Sequence, residues 1–139
     1  MALLEPNQRV IMISGANRGI GRATMLELAR LGYRLSLGVR DPASLDLSGL
    51  ENKVLPFRWD ATKAADATAW VQATVAHFGQ LDGLVLNAGV MHPVSINDDL
   101  EPELDQMWDV NFKGPLRLIR AALPALEQCG HGRIINIVS

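Results

Sequence analysis

Apolar and polar positions along this chain follow two alternating rhythms. Residues 9–14, 34–39, 54–59, 84–87 and 133–138 are apolar runs rich in Val, Ile and Leu and too short for helices, so they predict strands. Residues 19–31, 64–78 and 103–128 instead repeat their apolar positions at helical spacing. In the first of these, Ile20, Thr24, Leu28 and Leu31 fall on one face. Strands alternating with helices imply right-handed βαβ units and a parallel sheet. The continuous apolar runs at 10–13 and 84–86 fit strands covered on both faces. Segments 41–50 and 91–103 read as loops, and the second follows the C-terminal end of a strand, where ligands bind in such sheets. No long linker, low-complexity tract or internal repeat interrupts the pattern.

The turn between the first strand and the first helix reads Ser14-Gly15-Ala16-Asn17-Arg18-Gly19-Ile20-Gly21. Strand, glycine turn and helix in that order make an anion cradle, because turn N–H groups and the positive end of the helix dipole face the same point. Gly15 allows a tight exit from the strand, Gly19 a close backbone approach to a pyrophosphate, and Gly21 close packing of helix on strand. The Gly-x-x-x-Gly-x-Gly spacing alone also suits a turn without a ligand. In dinucleotide folds the end of the second strand reads the adenosine ribose: an acid accepts from the 2′-hydroxyl of NAD, a basic residue faces the 2′-phosphate of NADP. The chain there reads Gly38-Val39-Arg40-Asp41. Arg40 and Arg18 form a candidate guanidinium pair for that phosphate. The alternative leaves both as surface arginines, with Asp41 serving NAD.

Composition narrows the setting. A chain of 139 residues, 48% hydrophobic and 20% charged, is the size and make-up of one globular α/β domain. A net charge of −2 and a pI near 5.9 make no electrostatic case for nucleic acid or an anionic membrane. The lone Cys129 has no intrachain disulfide partner and suits a reducing cytoplasm. The first eight residues lack the pattern of a signal peptide, and no apolar run has membrane-spanning length. The expectation is therefore a cytoplasmic protein, and no residues are assigned as metal ligands.

The glycine turn resembles the Thr-Gly-x-x-x-Gly-Ile-Gly signature of the short-chain dehydrogenase/reductase family, with Ser14 in the Thr position and its hydroxyl kept. Further matches run to the last residue. The stretch Leu86-Asn87-Ala88-Gly89 resembles the family's Asn-Asn-Ala-Gly, with Leu86 replacing the first Asn. Asp109-Val110-Asn111 resembles the segment carrying its helix Asn, and Arg133 to Ser139 its fifth strand, which ends in the catalytic Ser.

The resemblance implies a Rossmann-type α/β fold: a doubly wound parallel sheet with helices on both faces, here one domain over residues 1–139, incomplete at its C-terminal end after the fifth strand. It implies a cofactor site made by Ser14, Gly15, Asn17, Arg18, Gly19, Ile20, Gly21, Arg40, Asp60, Asn87, Ala88 and Gly89. It makes Asn111 and Ser139 the catalytic members present. Asp60 matches the acid that bonds the adenine amino group, although as a bare residue it, or Thr62, suits a helix N-cap. Val39 stands where NAD-preferring members carry Asp, which favours NADP over NAD. The resemblance also implies a homo-oligomer formed through helix 103–128. That helix shows an apolar arc wider than one sheet needs, unless a neighbouring helix of the same chain covers it.

Two further expectations concern catalysis. Pro115 lacks an N–H and lies four residues after Asn111, so the Asn111 carbonyl loses its α-helical donor and is freed to hold a water. The family's Tyr-x-x-x-Lys pair is absent: the single tyrosine is Tyr33, with no Lys four residues on. Two readings follow. One is the front portion of an NADP-dependent oxidoreductase that moves a hydride to or from a small carbonyl or secondary alcohol. The other is a stand-alone nucleotide-binding or interaction module, with no redox activity.

Overall fold

A computed structural model describes residues 5–50 and 53–138. Its elements are β1 (Val10–Ser14), α1 (Gly19–Arg30), β2 (Arg34–Val39), β3 (Val54–Arg58), α2 (Ala64–Phe78), β4 (Gly83–Leu86), α3 (Glu101–Trp108), a π-helical turn (Asp109–Lys113), α4 (Gly114–Cys129) and β5 (Arg133–Asn136). All five strands run parallel, in the order β3-β2-β1-β4-β5. The order reverses direction at β1, leaving a crevice between the C-terminal ends of β1 and β4, where such sheets take their ligands. This is the doubly wound Rossmann-type sheet expected from the sequence.

Side-chain alternation along the strands sorts the core into two layers. Val10 and Met12 of β1 join Leu84 and Leu86 of β4 on one face, under Trp70 and Val71 of α2 and Leu118, Ala122 and Leu126 of α4. Ile13 of β1, Leu35 and Leu37 of β2 and Val85 of β4 face the other way, under Met25 and Ala29 of α1. Burying each such side chain contributes roughly 1.5–3 kcal/mol. Trp70 is fully buried, and its ring occupies the space over Gly38, where a Cβ would lie 2.4 Å from the ring. Its Nε1 donates to Ser36 Oγ at 2.8 Å, and Thr74 Oγ1 donates to the Trp70 carbonyl at 2.8 Å. Thr74 has then spent its only proton, so at 2.7 Å Ser36 donates to Thr74.

Three details depart from the sequence reading. The buried face of α1 is Gly21, Met25 and Ala29; Ile20 and Leu31 are exposed. Gly21 sits hard against the Gly15 carbonyl and sets the helix rotation, which overrides the apolar count. The long helical pattern begins at Glu101 and divides at the π turn into α3 and α4. Strand β5 lies at the sheet edge with all four residues exposed, Ile134 at 41% and Ile135 at 53%. No helix among the described residues is long and apolar enough to cross a membrane.

Candidate functional site

The crevice holds a cleft of ≈ 690 Å³. Gly15, Asn17, Arg18, Gly19 and Ile20 line one side, Arg40 and Asp60 another, and Asn87, Ala88 and Gly89 a third. Ser14 and Gly21, expected beside them, lie behind this lining. Ser14 is 2% exposed; its Oγ accepts the N–H groups of Asn87 and Ala88, both at 3.0 Å. One hydroxyl at the end of β1 therefore fixes the backbone that leaves β4. Asn87 returns the contact: its Nδ2 donates to the carbonyls of Ser14 at 3.2 Å and Gly15 at 3.1 Å. A Cβ on Gly21 would stand 2.1 Å from the Gly15 carbonyl oxygen and 2.4 Å from Asn87 Nδ2, so only glycine fits there. Gly15 and Gly19 adopt φ of 71° and 57°, a region other residues rarely enter.

The start of α1 carries no side-chain cap. Arg18 occupies the N-cap position, makes no capping bond, and no acid lies in the first turn. N–H groups at a helix start need acceptors, and an anion in the cleft supplies them. Asp41 accepts the Ala43 N–H at 3.0 Å, so its carboxylate is engaged in capping the short turn at Pro42–Ser44.

Asp60 builds a turn of its own. Its Oδ1 accepts the Thr62 N–H at 2.9 Å and the Thr62 hydroxyl at 2.8 Å. These bonds, with smaller help from Lys63 and Arg40, hold its carboxyl below the usual aspartate range. Neither Asp60 nor Thr62 caps α2, whose N-cap position is Lys63 without a capping bond. Asp66 of the first helical turn instead reaches back to the Asp60 N–H at 3.0 Å.

Asn111 sits in the π turn and faces the loop after β4. Its Oδ1 accepts the Val90 N–H at 2.8 Å and its Nδ2 donates to the Val90 carbonyl at 2.7 Å. The turn is widened, with the Gly114 N–H reaching back five residues to the Asp109 carbonyl. Gly114 is buried on Ala61, and a Cβ there would lie 2.9 Å from the Ala61 Cβ. Arg117 ties the same surfaces together, donating to the Ala61 carbonyl at 2.9 Å and to Asp109 Oδ1 at 3.0 Å. Ser139 lies outside the described residues.

Sequence reasoning missed Gln106, which lines the cleft and meets His92 Nε2 at 2.5 Å. Nothing in the local sequence pairs residues fourteen apart across a loop. In the sequence Arg117, like Gln106, is only a polar position within the helical pattern over 103–128.

A sequence profile described as short chain dehydrogenase matches residues 9–139. The agropine synthesis reductase of Rhizobium rhizogenes is 41% identical over 133 residues, covering 94% of this chain and 31% of that protein. A short-chain dehydrogenase structure from Streptomyces avermitilis superposes with a TM-score of 0.89 at 28% identity, covering 94% of this chain and 49% of that one. An alcohol dehydrogenase from the archaeon Thermococcus sibiricus, solved with 5-hydroxy-NADP, gives 0.85 at 31% identity, covering 92% and 57%. The chain thus spans about a third to a little over half the length of these relatives. With the profile running through β1 to β5 and the same architecture in a solved short-chain dehydrogenase, the chain belongs to the short chain dehydrogenase family.

Proposed function

We propose that this chain is the nucleotide-binding front portion of an NADP-dependent oxidoreductase acting on a carbonyl or secondary alcohol. The observation that carries the reading is the uncapped start of α1, which opens on the cleft beside Arg18 and Arg40, with no carboxylate at Val39. The glycine turn fits a diphosphate: Gly19 has open space around it, and Gly15 and Gly21 keep side chains out of the turn. The N–H groups of residues 19–21 would donate to the diphosphate and the two guanidiniums to the 2′-phosphate. Asp60 would take the adenine edge, and Asn87, Ala88 and Gly89 would flank the ribose. Bound nicotinamide would supply the hydride chemistry.

Asn111 holds the floor of the reaction end in place through Val90, and Ser139 is assigned to orient the substrate oxygen. The Tyr and Lys that would move the proton are assigned to sequence beyond residue 139. Residues 1–139 are read as one domain, and by themselves as catalytically inactive. The exposed side chains of Leu104, Trp108, Phe112 and Leu123, with the two rings stacked at 4.3 Å, support a homo-oligomer formed through the helical stretch 103–128. The lone Cys129 is compatible with a cytoplasmic location.

Titration of the intact protein with NADP and NAD tests the reading. NADP should bind more tightly, and Arg18→Ala and Arg40→Ala should each weaken NADP by about tenfold while leaving NAD unchanged. If neither nucleotide binds at millimolar concentration, the proposal fails. If both substitutions leave NADP affinity intact, the cofactor preference fails.

A further inference from the structure

At the opposite end of the sheet from the cleft, three different ligand chemistries converge. Asp82 immediately precedes β4, while Cys129 and His131 flank the left-handed Gly130 that ends α4. The Asp82 carboxylate oxygens, Cys129 Sγ and His131 ring nitrogens offer ligand atoms that all lie within 4.8 Å of one another. We propose that this cluster is a site for a divalent transition-metal ion of the zinc type, with three protein ligands and one position left to water.

The donor set decides the class of ion. One thiolate, one imidazole and one carboxylate suit zinc or cobalt(II), whereas calcium and magnesium take oxygen donors. Bonds of about 2.0 Å to nitrogen and oxygen and about 2.3 Å to sulfur put ligand atoms roughly 3.3–3.8 Å apart. His131 Nε2 is already 2.9 Å from Asp82 Oδ1, so these two need only open slightly. Sγ must swing away from the Leu126 carbonyl, which it contacts at 3.1 Å.

Asp82 is anchored for the task. Its side chain is 2% exposed, and Oδ2 accepts the Val10 N–H and Gln80 Nε2, both at 2.7 Å. Oδ1 faces His131 and is the oxygen free to turn to an ion. That arrangement is the outer support that fixes a ligating carboxylate. The His131 side chain is 31% exposed and gives access from solvent. The C-terminal end of α4 adds partial negative charge. The Arg133 guanidinium, which lines the same hollow as Arg9, is turned to the His131 and Gly132 carbonyls at 3.0 and 3.1 Å. Binding requires thiolate and bare Nε2: the thiol proton leaves to solvent, and the Nε2–H that donates to Asp82 Oδ1 is given up, the neutral ring keeping its one proton on Nδ1.

Cobalt(II) titration of the intact, reduced and metal-stripped protein tests this. The expected result is saturable one-to-one binding with a thiolate-to-cobalt charge-transfer band, displaced by zinc. Cys129→Ser should abolish the band, and His131→Gln should weaken binding by at least about tenfold, with unchanged circular dichroism in both. No saturable binding at micromolar cobalt overturns the proposal. So does a band that survives Cys129→Ser, or an affinity that His131→Gln leaves unchanged; either would mean an adventitious ion only. Asp82→Asn is not the decisive variant, because Asp82 also holds β1.

Discussion

Asn111 and Val90 grip one another by two hydrogen bonds, with the amide oxygen accepting the Val90 N–H at 2.8 Å and the amide nitrogen donating to its carbonyl at 2.7 Å. A side chain on a helical turn thus completes the backbone bonding of a loop twenty-one residues away. Asn111→Leu should cost about 1–2 kcal/mol in chemical denaturation and speed hydrogen exchange at the Val90 amide. An unchanged exchange rate there would show that the loop holds itself.

Ser14 satisfies two backbone N–H groups with one buried oxygen. Ser14→Ala should destabilise by about 1–3 kcal/mol, since those groups lose their acceptor in a dry setting. Ser14→Thr keeps the oxygen and should recover most of the loss. Urea midpoints at constant slope are the measurement.

Arg117 ties α4 to the loop after β3 through the Ala61 carbonyl and to the π turn through Asp109. Its side chain is 24% exposed and that of Asp109 30%, so the pair is partly screened. Arg117→Met should cost about 1 kcal/mol, and a double-mutant cycle with Asp109→Asn should show coupling of about 0.5 kcal/mol or more. Strict additivity would mean that the guanidinium works only through Ala61.

Asp60 predicts a pH effect of definite sign. Its folded-state carboxyl lies below the ordinary 3.8, so its charged form is favoured by folding. That stabilisation is fully present above the ordinary value and is lost as pH falls through the lower folded value. The gap in Tm between the protein and Asp60→Asn should be constant from pH 5 to 7 and shrink below about pH 4. A gap that widens on acidification would contradict the Thr62 bonding.

Local sequence determined the alternation of strands and helices, the parallel doubly wound sheet and the glycine turn. Apolar periodicity is a property of neighbouring residues, and Gly15 and Gly19 permit the positive φ that the turn adopts. The family pattern also reached Asn87 and Asn111, whose side chains the structure sets against Ser14, Gly15 and Val90. Tertiary structure alone decided the rotation of α1, because Gly21 must clear the Gly15 carbonyl before any apolar stripe can choose a face. It likewise decided that Ser14 points inward, that Arg117 reaches Ala61, and that Asp82, Cys129 and His131 meet. Each of these depends on distances between segments far apart in the chain. Such distances are set by how the layers pack, which no local pattern encodes.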